Sequence, residues 1–473
     1  MPDTDIAVIG AGRAGREIAA LSALLGLRVA LFERGPMGGD GPVRGRVAAS
    51  ALLACAHRAA ALREAGRFGL PGGEAAVDWN GVRARIREAM AEVAPDGSAA
   101  RFEGMGIEVV PAAARFAGPQ TLAAGGREWR FRRCVVAAGG APVVPGLPGL
   151  ETIPYLTEET ILALQTAPEH LIVLGGGAFG LEMAQAHALL GCRVTLVEPV
   201  RIALGHSAEL AEGLLRALRA DGVTVLEGYQ AARVEHGGPG VMLALTDGTR
   251  VEGSHLLLAL GRSPALAGLD LAAAGVAFGP GGIAVGRGLR STTNRRVWAV
   301  GGIADAPDGR PEGAPRAGGG DVALVLRTML FRLPGAVPEV APMRSVRTEP
   351  GLVSLGADAF EAEDGRTVRL LRWPLADTGG AAAEGVTLGL VRLVADRRGR
   401  LLGAGLLAPR AAELAGVLAM AVQQGMRLDA LAELDLPSPS LAEAIRQAAR
   451  EFYTPVLSSA ATRRIVRLTT RLP

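Results

Sequence analysis

Residues 6–34, IAVIGAGRAGREIAALSALLGLRVALFER, decide the fold, because their layout returns at residues 171–201, LIVLGGGAFGLEMAQAHALLGCRVTLVEPVR. Each stretch begins with an apolar strand and a glycine turn, continues as an apolar helix, and finishes with a second strand that ends in an acid. The chain therefore contains an internal repeat. Strand, helix and strand in this order predict an α/β, Rossmann-like fold for each copy.

Both copies carry the glycine spacing G-x-G-x-x-G. The first glycine allows a tight turn, the second lets a pyrophosphate approach the backbone, and the third lets the helix pack closely on the strand. Amide groups at the start of the helix would bind phosphate oxygens, and the strand-end acid would bind an adenosine ribose. Two dinucleotide sites are therefore predicted, formed by Gly10, Gly12, Gly15 and Glu33 and by Gly175, Gly177, Gly180 and Glu198.

The composition excludes several classes of protein. Apolar residues make up 49% of the 473 residues, which is enough to drive folding. All 50 basic residues are arginines, so Schiff-base chemistry on lysine is excluded. A formal net charge of +3 gives no face for nucleic acid by itself. No apolar run reaches the roughly 18–20 residues that cross a bilayer, so we expect no membrane insertion.

The cysteines and histidines indicate neither disulfides nor a metal site. Cys55, Cys134 and Cys192 are odd in number and far apart, and the last two lie in strand patterns as small core residues. The six histidines lack the spacing of metal ligands. The start of the chain runs directly into the first strand without a secretory leader, so we expect a cytoplasmic protein.

The remaining segments predict a different kind of domain after the repeat. We expect a helix over 77–94, strands over 107–137, a hairpin over 241–261, a loop over 301–320 that enters a helix at Asp321, and a linker over 334–342. Strand patterns over 344–408, followed by helix patterns over 410–453, predict a separate α+β domain.

With these elements in place, the chain resembles the pyridine nucleotide–disulfide oxidoreductases, the family of dihydrolipoamide dehydrogenase, mercuric reductase and glutathione reductase. The resemblance covers nearly the whole chain. The matching segments are VVAAGGAP (135–142) and LALGRSP (258–264) at the domain crossings, VWAVG (297–301) and APRAGGG (314–320) at the flavin, and RTEPGLVSLG (347–356), GLVRLV (389–394) and LPSPSLAEA (436–444) in the dimerisation domain.

The resemblance implies FAD in the first site, NAD(P)H in the second, hydride transfer from nicotinamide to flavin, and a homodimer. It implies an FAD-binding domain over 1–148 and 269–340, an NAD(P)-binding domain over 149–268, and a C-terminal α+β dimerisation domain over 343–473. Further cofactor contacts are implied at Gly39, Ala138, Gly139, Gly261, Gly302 and Ala314.

The disulfide relay of the family is missing from this chain. Gly41 and Arg46 occupy the positions of the two reactive cysteines, and neither can supply a thiolate. Cys55 lies nine residues past Arg46, about 13 Å along a helix, so it is no substitute. Ser438 stands where the family has its acid–base histidine, whereas the partner glutamate remains as Glu443, a candidate catalytic residue. We therefore reject dithiol-based disulfide reduction.

Two further departures concern the flavin. Ser50 replaces the lysine that pairs with the glutamate at Glu182, so we expect Glu182 to face the nicotinamide and flavin edge without its cation. Arg46 on the same helix is a candidate compensating charge, although a solvated surface side chain is an open alternative, as is simple packing for Glu182. Gly302 replaces an aspartate on the ribityl chain unless Asp305 takes its place, and one such hydrogen bond is worth only about 0.5–1.5 kcal/mol.

Glu198 favours NADH, because a carboxylate would bind a ribose 2′-hydroxyl and repel a 2′-phosphate. Arg201, three residues further on, could receive that phosphate, so NADPH stays open.

The leading interpretation is an FAD-dependent NAD(P)H oxidoreductase that passes electrons directly to a small-molecule acceptor such as a quinone. One alternative is a degenerate flavin-binding relative with a structural or sensing role. Another is a metal-ion or thiol reductase that uses cysteines of another chain.

Overall fold

The computed structural model describes residues 2–38, 44–73, 76–93, 98–238, 240–305, 320–336, 343–356, 368–457 and 459–470. The chain forms two compact bodies. One comprises Met1–Leu174, Ala232–Ala244 and Arg250–Glu339, and the other Gly175–Ala231, Leu245–Thr249 and Val340–Pro473. The functional domain boundaries proposed from the sequence do not follow this division and stay predictions.

The helices are α1 (Arg13–Leu24), α2 (Arg44–Glu64), α3 (Trp79–Val93), α4 (Ala99–Gly104), α5 (Ala178–Leu189), α6 (Ala208–Ala220), α7 (Gly320–Met329), α8 (Gly379–Glu384), α9 (Ala411–Gln423), α10 (Leu428–Ala432), α11 (Glu443–Arg450), α12 (Thr454–Leu457) and α13 (Ala460–Thr469). The strands are β1 (Thr4–Ile9), β2 (Val29–Phe32), β3 (Glu108–Val110), β4 (Arg115–Gly118), β5 (Thr121–Ala124), β6 (Arg127–Val136), β7 (Gly140–Pro142), β8 (His170–Leu174), β9 (Arg193–Glu198), β10 (Val223–Glu227), β11 (Ala231–Gly237), β12 (Gly240–Leu245), β13 (Arg250–Gly253), β14 (His255–Leu258), β15 (Arg262–Pro264), β16 (Phe278–Gly279), β17 (Gly282–Ala284), β18 (Val297–Ala299), β19 (Ala304–Asp305), β20 (Arg344–Val346), β21 (Gly351–Gly356), β22 (Val368–Pro374), β23 (Leu390–Asp396) and β24 (Leu401–Ala408).

The first body is built on a sheet with the strand order β3-β2-β1-β6-β5-β4, in which β18 also pairs with β6. β1 pairs in parallel with both β2 and β6, and α1 packs against β1 and β2. Strands covered on both faces need apolar side chains throughout, which explains the runs IAVI and VALF. Parallel strands place their carboxyl ends at one edge of the sheet, so Gly10, Glu33 and Ala138 follow strands at the same edge.

The second body contains the glycine turn, α5 and β9 of the second repeat together with the C-terminal sheet. β9 pairs in parallel with β10, and α5 packs against β9. The C-terminal sheet has the order β20-β21-β24-β23-β22, and every pair in it is antiparallel. Helix α9 packs on β21 and β24, and α11 packs on β22 and β23, around a core that includes Leu393, Leu406 and Leu418. This is the predicted α+β architecture.

Several local predictions are confirmed. The helix predicted over 77–94 is α3, the strands over 107–137 are β3 to β6, and β12 and β13 form the hairpin, whose turn includes Gly248 at φ +90°. The helix predicted from Asp321 begins at Gly320. Most of the predicted loop and linker, residues 306–319 and 337–342, lies outside the described residues. In the described part of the chain, no helix has both the length and the apolar character of a membrane span.

Glu349 is a half-buried acid just before β21. Burial raises its pKa to about 7, because removal from water disfavours the charged form. The backbone amide and the guanidinium of Arg410 partly oppose this effect, whereas the nearby Glu384 adds to it. The guanidinium of Arg410 donates two hydrogen bonds of 2.8 Å to Glu384. At neutral pH and above, Glu349 is therefore an unfavourable charge in the folded chain.

We expect Glu349→Gln to stabilise the protein at pH 8 but not at pH 5. Between the ordinary pKa of 4.5 and the folded pKa of about 7, the folded chain binds more protons than the unfolded chain, so stability falls as pH rises through this window. Glutamine avoids that loss, which amounts to about 1–3 kcal/mol at pH 8. Urea unfolding at both pH values measures it, with the exposed Glu433→Gln as control. An equal effect of Glu349→Gln at both values would contradict the expectation.

Candidate functional site

The first glycine turn has the geometry that a dinucleotide site needs. Gly10 has φ +100°, a conformation that favours glycine, and its N–H donates to the carbonyl oxygen of Phe32 at 2.8 Å. A Cβ on Gly15 would lie 1.9 Å from the carbonyl oxygen of Gly10, so only glycine permits this approach of helix and turn. Gly12 is the N-cap of α1 with extended backbone, and no atom of the described residues lies within 4 Å of a Cβ position there. Among these residues, the space beside the start of α1 is therefore open.

Glu33 is fixed beside this turn by two backbone amides. Its Oε2 accepts a hydrogen bond of 2.7 Å from the N–H of Ala11, and its Oε1 accepts one of 3.0 Å from the N–H of Gly35. The carboxylate thus joins the end of β2 to the glycine turn that follows β1. An acid held there is placed to bind a ribose at the edge of the sheet.

The second turn repeats this geometry. Gly175 has φ +116°, and its N–H donates to the carbonyl oxygen of Val197 at 2.9 Å. Gly177 is the extended N-cap of α5, and in the described part of the chain no atom lies within 4 Å of a Cβ position there. Gly180, the third glycine, is buried in α5.

Glu198 matches Glu33 contact for contact. It accepts a hydrogen bond of 2.7 Å from the N–H of Gly176 and one of 3.1 Å from the N–H of Val200. α1 and α5 are both 12 residues long. A turn with room for a phosphate, a helix N-terminus and a fixed acid occur in both copies, so the residues fit two dinucleotides.

The two predicted crossing segments pair with each other. β7 and β15 are antiparallel, the N–H of Ala265 donates to the carbonyl oxygen of Gly139 at 3.1 Å, and the N–H of Val143 donates to Gly261 at 2.9 Å. A Cβ on Gly302 would lie 3.9 Å from the carbonyl carbon of Gly139.

Ala138 adjoins the first glycine turn, since a Cβ on Gly10 would lie 3.1 Å from the Cα of Ala138. The structure therefore gathers Ala138, Gly139, Gly261 and Gly302 in one region beside the first site. Gly39 and Ala314, and the position of Gly41, lie outside the described residues.

The proposed substitute for the missing aspartate, Asp305, lies against a different turn. It belongs to β19, which pairs with β17, and a Cβ on Gly281 would lie 3.1 Å from its Cγ. In the structure, Asp305 therefore does not take the place of the aspartate that Gly302 replaces.

The expectation that Glu182 lacks a cation is wrong. Its side chain is 4% exposed, and Arg347 provides the partner. Nη2 of Arg347 donates to Oε2 of Glu182 at 2.6 Å, Nε donates to Oε1 at 3.1 Å, and the backbone N–H donates to Oε1 at 3.0 Å. Glu182 therefore does not need a compensating charge from Arg46.

Sequence reasoning missed Arg347 because it lies 165 positions beyond Glu182 in the sequence. The only signal was indirect: a chain without lysine must take any cationic partner for Glu182 from its arginines.

The other candidate catalytic residues have ordinary surroundings. Arg46 and Ser50 lie exposed on α2. Glu443 begins α11, where it accepts a hydrogen bond of 3.3 Å from the N–H of Ser440 and forms an ion pair of 3.2 Å with Arg446. Both carboxylate oxygens thus bind groups at the start of their own helix, and a catalytic role for Arg46 or Glu443 stays a prediction.

The three cysteines are free thiols. Cys134 is fully buried in β6 and Cys192 is buried just before β9, as predicted. Burial raises the pKa of Cys134 and raises that of Cys192 to about 11. Burial also raises the pKa of Cys55, with Arg58 and Arg85 opposing it. All three are therefore protonated at neutral pH and are poor nucleophiles. No metal-binding cluster of His, Cys, Asp or Glu occurs among the described residues.

Comparison with known proteins gives a consistent result. The family model described as pyridine nucleotide-disulphide oxidoreductase matches residues 4–320, and the model of its dimerisation domain matches residues 343–449. The chain is similar to a mercuric reductase of Streptomyces lividans, with 34% identity over 96% of this chain and 97% of that protein. It is also similar to a dihydrolipoyl dehydrogenase of Thermus scotoductus, with 29% identity over 96% of this chain and 98% of that protein.

Solved structures show the same fold. LpdA of Mycobacterium tuberculosis is 26% identical, has a TM-score of 0.81, and is matched over 95% of this chain and 99% of its own. The flavoprotein disulfide reductase RclA of Escherichia coli is 24% identical with a TM-score of 0.81, matched over 94% of this chain and 99% of its own. The predicted fold, two dinucleotide-binding domains and a C-terminal dimerisation domain, is confirmed.

We expect Gly12→Ala to weaken FAD binding and Gly15→Ala to prevent folding. Alanine at position 12 meets no atom and keeps an allowed backbone, so the unloaded protein should keep its stability within about 0.5 kcal/mol but lose FAD affinity at least about tenfold. Alanine at position 15 meets the Gly10 carbonyl, so folding itself should fail. Measured FAD affinity and thermal unfolding separate the two. Gly177→Ala is the matched control and should spare FAD. Undiminished FAD affinity in Gly12→Ala would rule out the first site.

Proposed function

The chain belongs to the pyridine nucleotide-disulphide oxidoreductase family, and from this premise we propose an FAD-dependent NAD(P)H oxidoreductase that passes electrons from flavin directly to a non-disulfide acceptor. Enzymes of this family use FAD and a nicotinamide nucleotide. The match of residues 343–449 to the dimerisation domain supports a homodimer as the working form.

The observation that carries the proposal is the lack of a sulfur relay. Gly41 and Arg46 stand where the family has its reactive cysteines. Cys134 and Cys192 are buried, and burial raises the pKa of each thiol further above neutrality, so both stay protonated. Disulfide exchange requires a thiolate that attacks and a sulfur that leaves, and none of these residues supplies both.

The chain's own residues bind and orient the two nucleotides. The starts of α1 and α5 offer amide groups to pyrophosphate, and Glu33 and Glu198 hold the riboses. Bound FAD supplies the chemistry of a two-electron acceptor that can release electrons as hydride or singly. In the net reaction, the nicotinamide loses a hydride, and a quinone gains that hydride and a solvent proton to form a quinol. A quinone suits this role because it needs no thiol.

We further propose that NADH is the preferred nucleotide. Glu198 is held by two backbone amides at the end of β9, where a carboxylate repels a 2′-phosphate. Arg201 donates from Nη2 to the carbonyl oxygen of His206 at 3.0 Å, so its guanidinium is already engaged. These contacts favour a ribose with a free 2′-hydroxyl.

We expect the flavin absorbance of the FAD-loaded protein to bleach on addition of NADH without oxygen, and a soluble quinone to restore it. The nicotinamide would have delivered its electrons to flavin, and the quinone would have removed them. Anaerobic spectroscopy measures both steps. Flavin that stays oxidised in the presence of NADH would refute turnover and favour the binding-only relative.

Thiol alkylation is the control for this experiment. Iodoacetamide and Cys55→Ser should each leave quinone reduction unchanged, since Cys55 is the least buried thiol. Loss of activity on alkylation would instead support a thiol-dependent reductase.

We expect Glu198→Gln to shift the ratio of kcat/KM for NADH over NADPH towards NADPH by about tenfold or more. Glutamine keeps an acceptor oxygen for one of the two backbone amides and removes the charge that repels a 2′-phosphate. Tenfold corresponds to about 1.4 kcal/mol. Steady-state kinetics with both nucleotides gives the ratio. Glu33→Gln, the same change in the first site, should leave the ratio unaltered. An unchanged ratio in Glu198→Gln would show that Glu198 does not select the nucleotide.

A further inference from the structure

Residues 347–349 bind one face of α5 through Glu182 and Gln185, two buried side chains of that helix. Arg347 binds Glu182 with three hydrogen bonds of 2.6, 3.0 and 3.1 Å. Glu182 is 3% exposed as a residue, and Gln185, one helical turn further on, is fully buried. Few charged residues are buried this deeply in folded proteins unless they are paired.

Gln185 makes the second attachment. Its Oε1 accepts a hydrogen bond of 2.8 Å from the N–H of Glu349, and its Nε2 donates to the carbonyl oxygen of Glu349 at 2.7 Å. Nε2 also donates to Asp221 at 2.7 Å. Two positions of the segment, 347 and 349, are therefore bound at two positions of α5, 182 and 185, which share a helix face because they are three residues apart.

This attachment lies close to the second dinucleotide site. Glu182 and Gln185 follow Gly180, the third glycine of that site, by two and five residues on the same helix. The N-terminus of α5 is the part of the site that binds pyrophosphate. Whatever fixes α5 therefore also fixes the phosphate-binding amides and the Glu182 carboxylate.

Stability alone does not account for the pair. Replacement of a buried ion pair by apolar side chains of similar volume is often neutral or stabilising, because desolvation offsets the attraction. An apolar contact at positions 182 and 347 would hold the two segments together at least as well. The two guanidinium donors bind separate carboxylate oxygens, and the backbone N–H binds one of them as well, so the contact orients the carboxylate.

We propose that Arg347 is a positioning residue of the second nucleotide site, which holds Glu182 and α5 in place for the bound nicotinamide nucleotide. The connection between β20 and β21, two strands of the C-terminal sheet, is then part of the nucleotide site of its own chain. The inference rests on the proposed function only for the identity of the nucleotide.

The test is Arg347→Met in the full-length FAD-loaded protein. We expect the dissociation constant for NAD⁺ to rise about tenfold or more, and the backbone amides of α5 to exchange with deuterium faster than in the wild type. Arg347→Lys, which keeps the charge, should recover much of the affinity. Arg372→Met is the matched control, since it breaks another arginine–glutamate pair, with Glu209 at 2.9 Å, and should change the affinity less than about twofold.

A double variant separates positioning from folding. Arg347→Met leaves Glu182 as a buried unpaired charge, which can prevent folding. Glu182→Gln with Arg347→Met removes both charges and should fold, yet bind NAD⁺ about as weakly as the single variant. Wild-type affinity in the double variant, or in a folded Arg347→Met protein, would overturn the inference.

The readouts also distinguish this inference from the proposed function. Binding of NAD⁺ and amide exchange require no electron acceptor and no flavin reduction. A wild-type protein that binds NAD⁺ but never bleaches with NADH would refute the proposed function and leave the role of Arg347 to be decided by the same variants.

Discussion

The hydrogen bond from the glycine turn to the strand-end carboxylate is the interaction on which both nucleotide sites depend. It measures 2.7 Å in each copy, from Ala11 to Glu33 and from Gly176 to Glu198. The acid joins the end of one strand to the glycine turn that follows the neighbouring strand, so it fixes the turn beside the proposed ribose position. Because the turn amide already binds one carboxylate oxygen, a change of the acid alters the shape of the site as well as its charge. Glutamine keeps one of the two acceptor oxygens and alanine keeps neither, so glutamine disturbs the shape of the site less than alanine does.

The parts of the structure that were predictable are those whose physics is local. Gly10 requires a left-handed backbone and Gly15 a close contact with a carbonyl, and both constraints act within a few residues, so the sequence pattern alone revealed them. The same holds for α3, whose periodic apolar residues lie on one face. The partner of Glu182 was not predictable, because it depends on a contact between positions 182 and 347 that only tertiary structure creates. The resemblance to the family gave a wrong expectation here. Ser50 replaces the family's lysine, which suggested that Glu182 has no cationic partner.

Because the chain contains no lysine, the cation that pairs with Glu182 is an arginine, Arg347. A lysine would bring a single point charge with three rotatable donors, whereas the Arg347 guanidinium engages both carboxylate oxygens in a fixed plane. The cation of Glu182 thus comes from the connection between β20 and β21 and orients the acid more rigidly than a lysine could. The side chain of Arg347 remains 31% exposed while that of Glu182 is 4% exposed, so most of the desolvation falls on the acid.

The proposed function follows from two features taken together: residues without sulfur at positions 41 and 46, and two nucleotide-binding turns. A dithiol stores two electrons and separates the arrival of NADH from the reaction with a second substrate. In the proposed function no dithiol intervenes, so the acceptor would take hydride or single electrons at the flavin itself. Gly41 and Ser438 are smaller than the family's cysteine and histidine, whereas Arg46 is larger than the cysteine it replaces and carries a positive charge. What the three changes share is the loss of thiol and imidazole chemistry, and this loss is the reason to propose an acceptor, such as a quinone, that needs neither group.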